Sequence, residues 1–149
     1  MNIKKLFVIP FIIIISAGCS SLMLHSADYS WPIENVLKVD DNGFVTEDRH
    51  TFTINVKPLF FKEFADSNSA AGKEIRIIRN NAGYYFITGA GFKNVYVFLP
   101  VENGMKLDNT ISISENQPLS SPVLNQKSPY IELIDGSTKY LLNNKGIVR

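Results

Sequence analysis

Several short segments of the chain alternate strictly between apolar and polar side chains. Residues 51–57 (TFTINVK) put Phe52, Ile54 and Val56 on one side and polar residues on the other, and residues 110–114 (TISIS) repeat the pattern. Successive side chains of a strand point to opposite faces, so both segments are predicted to be half-buried β-strands.

Turn signals separate further strand-like segments. Residues 33–39 lead into DDNG (40–43), whose Asn-Gly pair favours a tight turn, and this pattern predicts a hairpin that returns from Phe44. Residues 74–88 predict a second hairpin around NNAG, and residues 130–142 a third around DGS.

Three other segments do not alternate. Residues 95–100 (VYVFLP) are apolar throughout, which predicts a central strand covered on both faces. Residues 59–73 place Phe60 and Phe64 at helical spacing and predict a single helical turn followed by a loop. Residues 115–129 are polar with three prolines and predict a surface loop.

These elements predict one all-β domain. The chain has 149 residues, which suits a single domain, and no strand–helix–strand alternation indicates a parallel sheet. Sequential hairpins favour antiparallel pairing. We therefore expect an antiparallel β-sandwich or small β-barrel of about eight strands, and the pattern does not separate these two.

Composition and charge argue against several kinds of partner and site. The chain is 45% hydrophobic and carries a formal net charge of +1, so we predict no nucleic-acid partner, which would require clustered Lys and Arg. Its one cysteine, Cys19, excludes an internal disulfide and any zinc site built on several cysteines. We predict no metal site and no cofactor.

The N-terminus has the pattern of a secretory signal. Lys4 and Lys5 precede an apolar stretch, residues 6–15, interrupted only by Pro10; small residues and Cys19 follow. The stretch is too short to span a bilayer, which needs about 20 apolar residues. Cleavage before Cys19 would remove both lysines and change the net charge from +1 to −1.

Ser16-Ala17-Gly18-Cys19 resembles the lipobox of bacterial lipoprotein precursors at its last three positions. The resemblance implies diacylglycerol on the Cys19 sulfur, cleavage before Cys19 and an acylated N-terminus. It divides the chain into a signal peptide (1–18), a lipidated tether (19–29) and a globular domain (30–149). In that family an acidic residue after the cysteine favours inner-membrane retention. Because Ser20 is not acidic, we expect the outer membrane in a host that has two membranes.

One histidine offers candidate chemistry. His50 lies beside Asp48 and Arg49, and Asp48 and His50 would share a strand face. This arrangement suggests a small envelope hydrolase that uses His50 with nearby acids, although no serine nucleophile can be identified. A surface cluster of charges explains the same residues without catalysis.

The aromatic residues offer a candidate binding surface. Tyr84, Tyr85 and Phe86 are consecutive, so alternation would expose either Tyr85 or its two neighbours. An exposed Tyr85 near Arg79 and Lys93 would suit a ligand or partner. Core packing is the alternative.

Trp31, just before Pro32, is a further candidate for a binding residue. It is expected either to hold the tether against the domain or to lie at the membrane interface.

We therefore predict a lipid-anchored envelope protein with a non-enzymatic β domain that acts as a binding or structural module. Its predicted partners are the membrane, through the anchor, and another envelope protein. The alternatives are the hydrolase and a carrier that holds a small apolar ligand inside a barrel.

Overall fold

In the computed structural model, which describes residues 31–48 and 52–148, the chain is mostly antiparallel β-sheet. The described strands are β1 (Asn35–Lys38), β2 (Phe44–Glu47), β3 (Phe52–Asn55), β4 (Glu74–Arg79), β5 (Tyr85–Thr88), β6 (Asn94–Val101), β7 (Gly104–Ser112), β8 (Pro122–Lys127), β9 (Tyr130–Asp135), β10 (Thr138–Asn143) and β11 (Gly146–Ile147). Helix α1 (Lys57–Phe64) and a short 3-10 helix (Ser67–Ala70) separate β3 from β4. Across the described ranges, no helix has the length and apolar character needed to cross a membrane.

The strands form three sheets. The five-stranded sheet has the order β1-β4-β5-β6-β7, the four-stranded sheet β11-β10-β9-β8, and β2 pairs with β3. None of the three is closed into a barrel. The predicted all-β antiparallel class is confirmed, and the arrangement is sandwich-like.

One apolar core is shared by all three sheets. All four residues of β5 are buried, and so are Val95, Tyr96 and Val97 in β6. Strands with consecutive buried residues are covered on both faces, which confirms the prediction for the start of β6. From Pro100 onward β6 is exposed, because its hairpin with β7 extends beyond the end of β5.

Two of the predicted hairpins and the helix are confirmed. β4 pairs with β5 and β9 with β10, each antiparallel. β3 alternates between half-buried and exposed residues, as its pattern predicts. Helix α1 is longer than the single predicted turn, and its Phe60 and Phe64 rings lie 5.8 Å apart.

The predicted hairpin of residues 33–47 is wrong in its pairing. The turn itself forms, since Asp40 Oδ1 accepts hydrogen bonds from the N–H groups of Asn42 and Phe44. Beyond the turn the arms separate: β1 pairs with β4, and β2 pairs with β3. Backbone hydrogen bonds joining Val39 to Gly72 and Lys73 hold the end of β1 beside β4.

The predicted surface loop 115–129 is also wrong in part, because it contains strand β8. Leu124 is fully buried, and Pro122 is the first residue of the strand, where proline is tolerated. Asp135 on β9 fixes the approach to β8 by accepting hydrogen bonds from the N–H groups of Ser120 and Ser121. Burial alone would raise the pKa of Asp135, but the hydrogen bonds from Ser121 and Ser120 outweigh it and hold that pKa below its usual value.

Glu34 joins the two larger sheets. One carboxylate oxygen accepts a hydrogen bond from Arg76 Nη1 on β4, and the other accepts from the N–H of Leu124 on β8 at 2.8 Å. The Glu34 side chain is 10% exposed. A single carboxylate therefore satisfies a partly buried guanidinium and a buried strand N–H in opposite sheets.

We expect Glu34→Ala to lower the free energy of unfolding by about 2 kcal/mol, because it leaves both donors without their acceptor. Urea denaturation followed by circular dichroism measures this loss. Glu34→Gln is the matched control: it keeps an acceptor for Leu124 and should cost less. Equal losses in the two variants would contradict a role for the Leu124 hydrogen bond.

Helix α1 is attached to the five-stranded sheet through Glu63. Its carboxylate accepts hydrogen bonds from the Lys93 N–H, Asn94 Nδ2 and the Tyr96 hydroxyl, each at 2.8 Å. Burial, then the hydrogen bond to Glu63 and its negative charge, raise the pKa of Tyr96 well above its ordinary value. Tyr96 therefore stays a neutral donor at pH values where exposed tyrosines ionise, and the helix keeps this attachment.

Candidate binding cleft

Trp31, Phe52, Tyr85 and Arg79 form a packed aromatic cluster. The Trp31 ring lies 5.3 Å from Tyr85, edge to face, and stacks 6.4 Å from Phe52. The Arg79 guanidinium lies over the face of the Tyr85 ring, 5.4 Å from its centre, in the position of a cation–π contact. The backbone N–H of Trp31 donates to the backbone carbonyl of Arg79 at 2.8 Å, which fixes the start of the described domain to the end of β4.

The structure brings together three of the four predicted binding residues, but as buried packing. Tyr85 is 7% exposed and Trp31 is 4% exposed. Tyr85 and Phe86 are both buried because β5 is covered on both faces, so the core-packing alternative is observed and an exposed Tyr85 surface is not formed. Trp31 packs in the core of the domain, and the tether that it is expected to hold lies outside the described residues.

Lys93 does not join this cluster. It is exposed in the loop that follows β5, whereas Tyr85 and Arg79 pair at the opposite end of that strand. A common site for Tyr85, Arg79 and Lys93 is therefore not formed in the described structure.

A cleft opens beside the aromatic cluster. It lies between β3 with the start of α1 on one side and the β6–β7 hairpin on the other, and its volume is about 360 Å³. Its lining residues are Thr53, Ile54, Asn55, Val56, Pro58, Leu59, Ile87, Phe98, Asn103, Gly104 and Met105. Proteins bind small molecules in concave, mainly apolar sites of about 300–1,000 Å³, so this cleft falls within the usual size range.

A second lobe of about 320 Å³ adjoins the cleft. The two share Thr53, Ile54, Asn103, Gly104 and Met105, and the second lobe extends along Phe52 and Tyr85. Its wall thus includes two rings of the cluster that surrounds Trp31.

The cleft contains no charged side chain among the residues that line its two lobes. Its inner wall includes Ile87, Phe98 and Leu59, while Asn103 and Thr53 supply an amide and a hydroxyl. Thr53 Oγ1 lies 3.0 Å from Thr46 Oγ1, so its hydroxyl is already engaged. This chemistry suits an uncharged apolar molecule with one or two hydrogen-bonding groups.

The geometry is less suited to an added peptide strand. Residues 99–101 of β6 extend beyond the last residue paired with β5, so this edge borders the second lobe. Pro100 lies there, and proline offers no N–H to a neighbouring strand. A small molecule that uses side-chain contacts is the better match.

Two predicted functional residues lie outside the described residues. These are Cys19, the predicted lipid attachment point, and His50, the candidate residue of the alternative hydrolase hypothesis. Of the acids near His50, Asp48 is exposed, and Glu47 is 2% exposed and accepts a hydrogen bond from Asn35 Nδ2. Within residues 31–48 and 52–148, no group of three or more His, Cys, Asp or Glu side chains is placed to hold a metal ion.

The cleft residues were not predicted as a site from the sequence. The alternating pattern identifies Phe52 and Ile54 as one face of a strand, and the Asn-Gly pair at 103–104 identifies a turn. Nothing local to either segment indicates that the two meet. Pro100, within an otherwise apolar strand segment, is the one signal that marks this edge as unusual.

Comparisons of the chain with protein-family models, curated proteins and solved structures found no match.

Proposed function

We propose that the protein is a lipid-anchored protein of the bacterial envelope whose non-enzymatic β domain binds a small, uncharged, mainly apolar molecule in the cleft between β3 and the β6–β7 hairpin. The anchor is Cys19, and the outer membrane is the proposed location. Another envelope protein is a proposed partner for delivery or receipt of the ligand.

The uncharged lining of the cleft is the observation that carries the binding part of this proposal. A cleft without Asp, Glu, His, Lys or Arg lacks the side chains that most often act as general acids or bases, and it favours ligands that lose little hydration on entry. Phe98, Ile87 and Leu59 provide apolar area, and Asn103 provides an amide that can orient a polar group.

The anchor part is supported by the sequence around Cys19. Lys4 and Lys5, the apolar stretch and the small residues before the cysteine together have the order of a lipoprotein signal. Several acyl chains on one N-terminus would hold the domain firmly, whereas a single chain gives marginal binding. The cleft would therefore work beside a membrane, where apolar molecules are concentrated.

We expect the full chain to bind the neutral fluorescent probe N-phenyl-1-naphthylamine and to transfer energy to it from Trp31. Trp31 is the only tryptophan in the chain, and it contacts Phe52 and Tyr85 in the cleft wall. Met105→Glu places a carboxylate in both lobes and should weaken this binding by about 10-fold or more, because the bound probe would leave that charge poorly solvated.

Leu107→Glu is the matched control. Leu107 lies two residues farther along β7, is 37% exposed and does not line either lobe. It should change probe binding by less than about 2-fold. If both variants weaken energy transfer equally, or neither does, the probe is bound elsewhere and the cleft proposal fails.

A further inference from the structure

Helix α1 exposes two aromatic rings at the surface. Phe60 is 1% exposed and packs edge-to-face on Phe92 at 5.2 Å, so it attaches the helix to the core. Phe61 is 60% exposed and Phe64 is 41% exposed, although Phe64 also touches Phe60 and Phe92. A helix of eight residues that leaves two phenylalanines in water has more exposed aromatic area than its own packing requires.

Two exposed lysines lie near these rings. Lys62 is on the same helix, with its Nζ 5.7 Å from the centre of the Tyr96 ring, and Lys93 is in the loop that follows β5. The Glu63 carboxylate faces the sheet, where it binds three donors, and Asp66 Oδ1 accepts the Asn68 N–H at 2.9 Å. The surface formed by Phe61, Phe64, Lys62 and Lys93, called here the α1 face, therefore combines aromatic rings with cationic groups.

We propose that the α1 face contacts the surface of an anionic lipid bilayer. Aromatic side chains favour the boundary between headgroups and acyl chains, and lysines are attracted to anionic headgroups. Lys62 and Lys93 flank rings that could enter this boundary. The one acid of α1, Glu63, faces the sheet, whereas Asp66, two residues beyond the helix, is exposed, so two lysines and one exposed acid surround the rings.

Because the proposed anchor already holds the domain near the bilayer, a weak contact is enough for the α1 face to dock there. Eleven residues lie between Cys19 and Trp31, and an extended chain over these twelve steps spans about 40 Å. A domain held this close to the bilayer meets it at high effective concentration, so the α1 face needs only modest intrinsic affinity. The inference rests on the proposed anchor for this strength but not on the cleft.

The test uses tryptophan fluorescence in vesicles that contain brominated lipid, which quenches only tryptophans in contact with it. The full, acylated chain carries Phe61→Trp and is reconstituted into vesicles of equal parts phosphatidylglycerol and phosphatidylcholine. The signal of the wild type, whose Trp31 is buried, is subtracted. We expect the brominated lipid to quench the fluorescence of the tryptophan at position 61 strongly. When Lys62→Gln and Lys93→Gln are added to this variant, the docking equilibrium should shift away from the bilayer by about 30-fold.

Ile147→Trp is the matched control, because Ile147 is an exposed apolar residue (41%) on the four-stranded sheet. Equal quenching in the two variants would overturn the proposal, since it would reflect anchoring alone. So would quenching that the lysine substitutions leave unchanged. A blue shift of the Phe61→Trp variant that grows with protein concentration without vesicles would assign the face to a second copy and also overturn it. Acyl labelling of the same samples reports separately whether the anchor is present.

Discussion

Replacing Cys19 with alanine is expected to abolish acyl labelling and to release the protein from the membrane fraction. The sulfur of Cys19 is the proposed site of diacylglycerol, and alanine offers no nucleophilic side chain in its place. Without acyl chains the mature domain would not bind stably to a bilayer. Metabolic labelling with a clickable palmitate analogue, followed by membrane fractionation, measures both effects.

Ser20→Ala and Ser20→Asp are the controls for the Cys19 prediction. Both leave the cysteine in place, so both should be labelled as strongly as the wild type. The resemblance to lipoprotein precursors implies that only Ser20→Asp shifts the protein toward the inner membrane. Label that persists on Cys19→Ala would show that the acyl chains are carried elsewhere and would remove the basis of the proposed anchor.

Local sequence pattern predicts the strands of this domain better than it predicts their partners. Alternation in residues 52–55 and the short turn between β9 and β10 are properties of neighbouring residues, and both are observed. The pairing of β1 with β4 joins residues about forty positions apart. The DDNG turn is compatible with a local β1–β2 hairpin, so the sequence does not reveal that β1 pairs with β4 instead.

Strand β8 shows a second limit of local pattern. Prolines and polar residues in 115–129 favour a loop, yet Pro122 occupies the first strand position and Leu124 packs into the core. The stabilising contacts are distant: Asp135 holds the preceding serines, and Glu34 accepts the Leu124 N–H. Neither partner can be identified from composition.

The candidate site, too, is only partly predictable from the sequence. Trp31, Tyr85 and Arg79 stand out in the sequence as residue types enriched in binding surfaces, and they do meet, although in the interior. The cleft depends on the meeting of β3 with a hairpin tip roughly fifty residues later, which no local pattern encodes. Its most useful property, the absence of charge, becomes visible only when those segments are placed side by side.

Trp31→Ala is expected to lower the free energy of unfolding by about 3–5 kcal/mol, the usual cost of removing a large buried aromatic side chain. Trp31 is 4% exposed and contacts both Phe52 on β3 and Tyr85 on β5, so its loss would open a cavity where two sheets meet. Urea denaturation followed by far-ultraviolet circular dichroism measures the change, since the variant has no tryptophan fluorescence.

Two further variants separate packing from other effects at this position. Trp31→Phe keeps an aromatic ring and should recover part of the loss, whereas Phe61→Ala removes a ring that is 60% exposed and should cost less than about 0.5 kcal/mol. A Trp31→Ala domain that is within about 1 kcal/mol of the wild type would mean that the ring contributes little to joining the sheets. The expected large loss would instead mean that Trp31 joins β3 to β5, because its ring packs against Phe52 on the first strand and Tyr85 on the second.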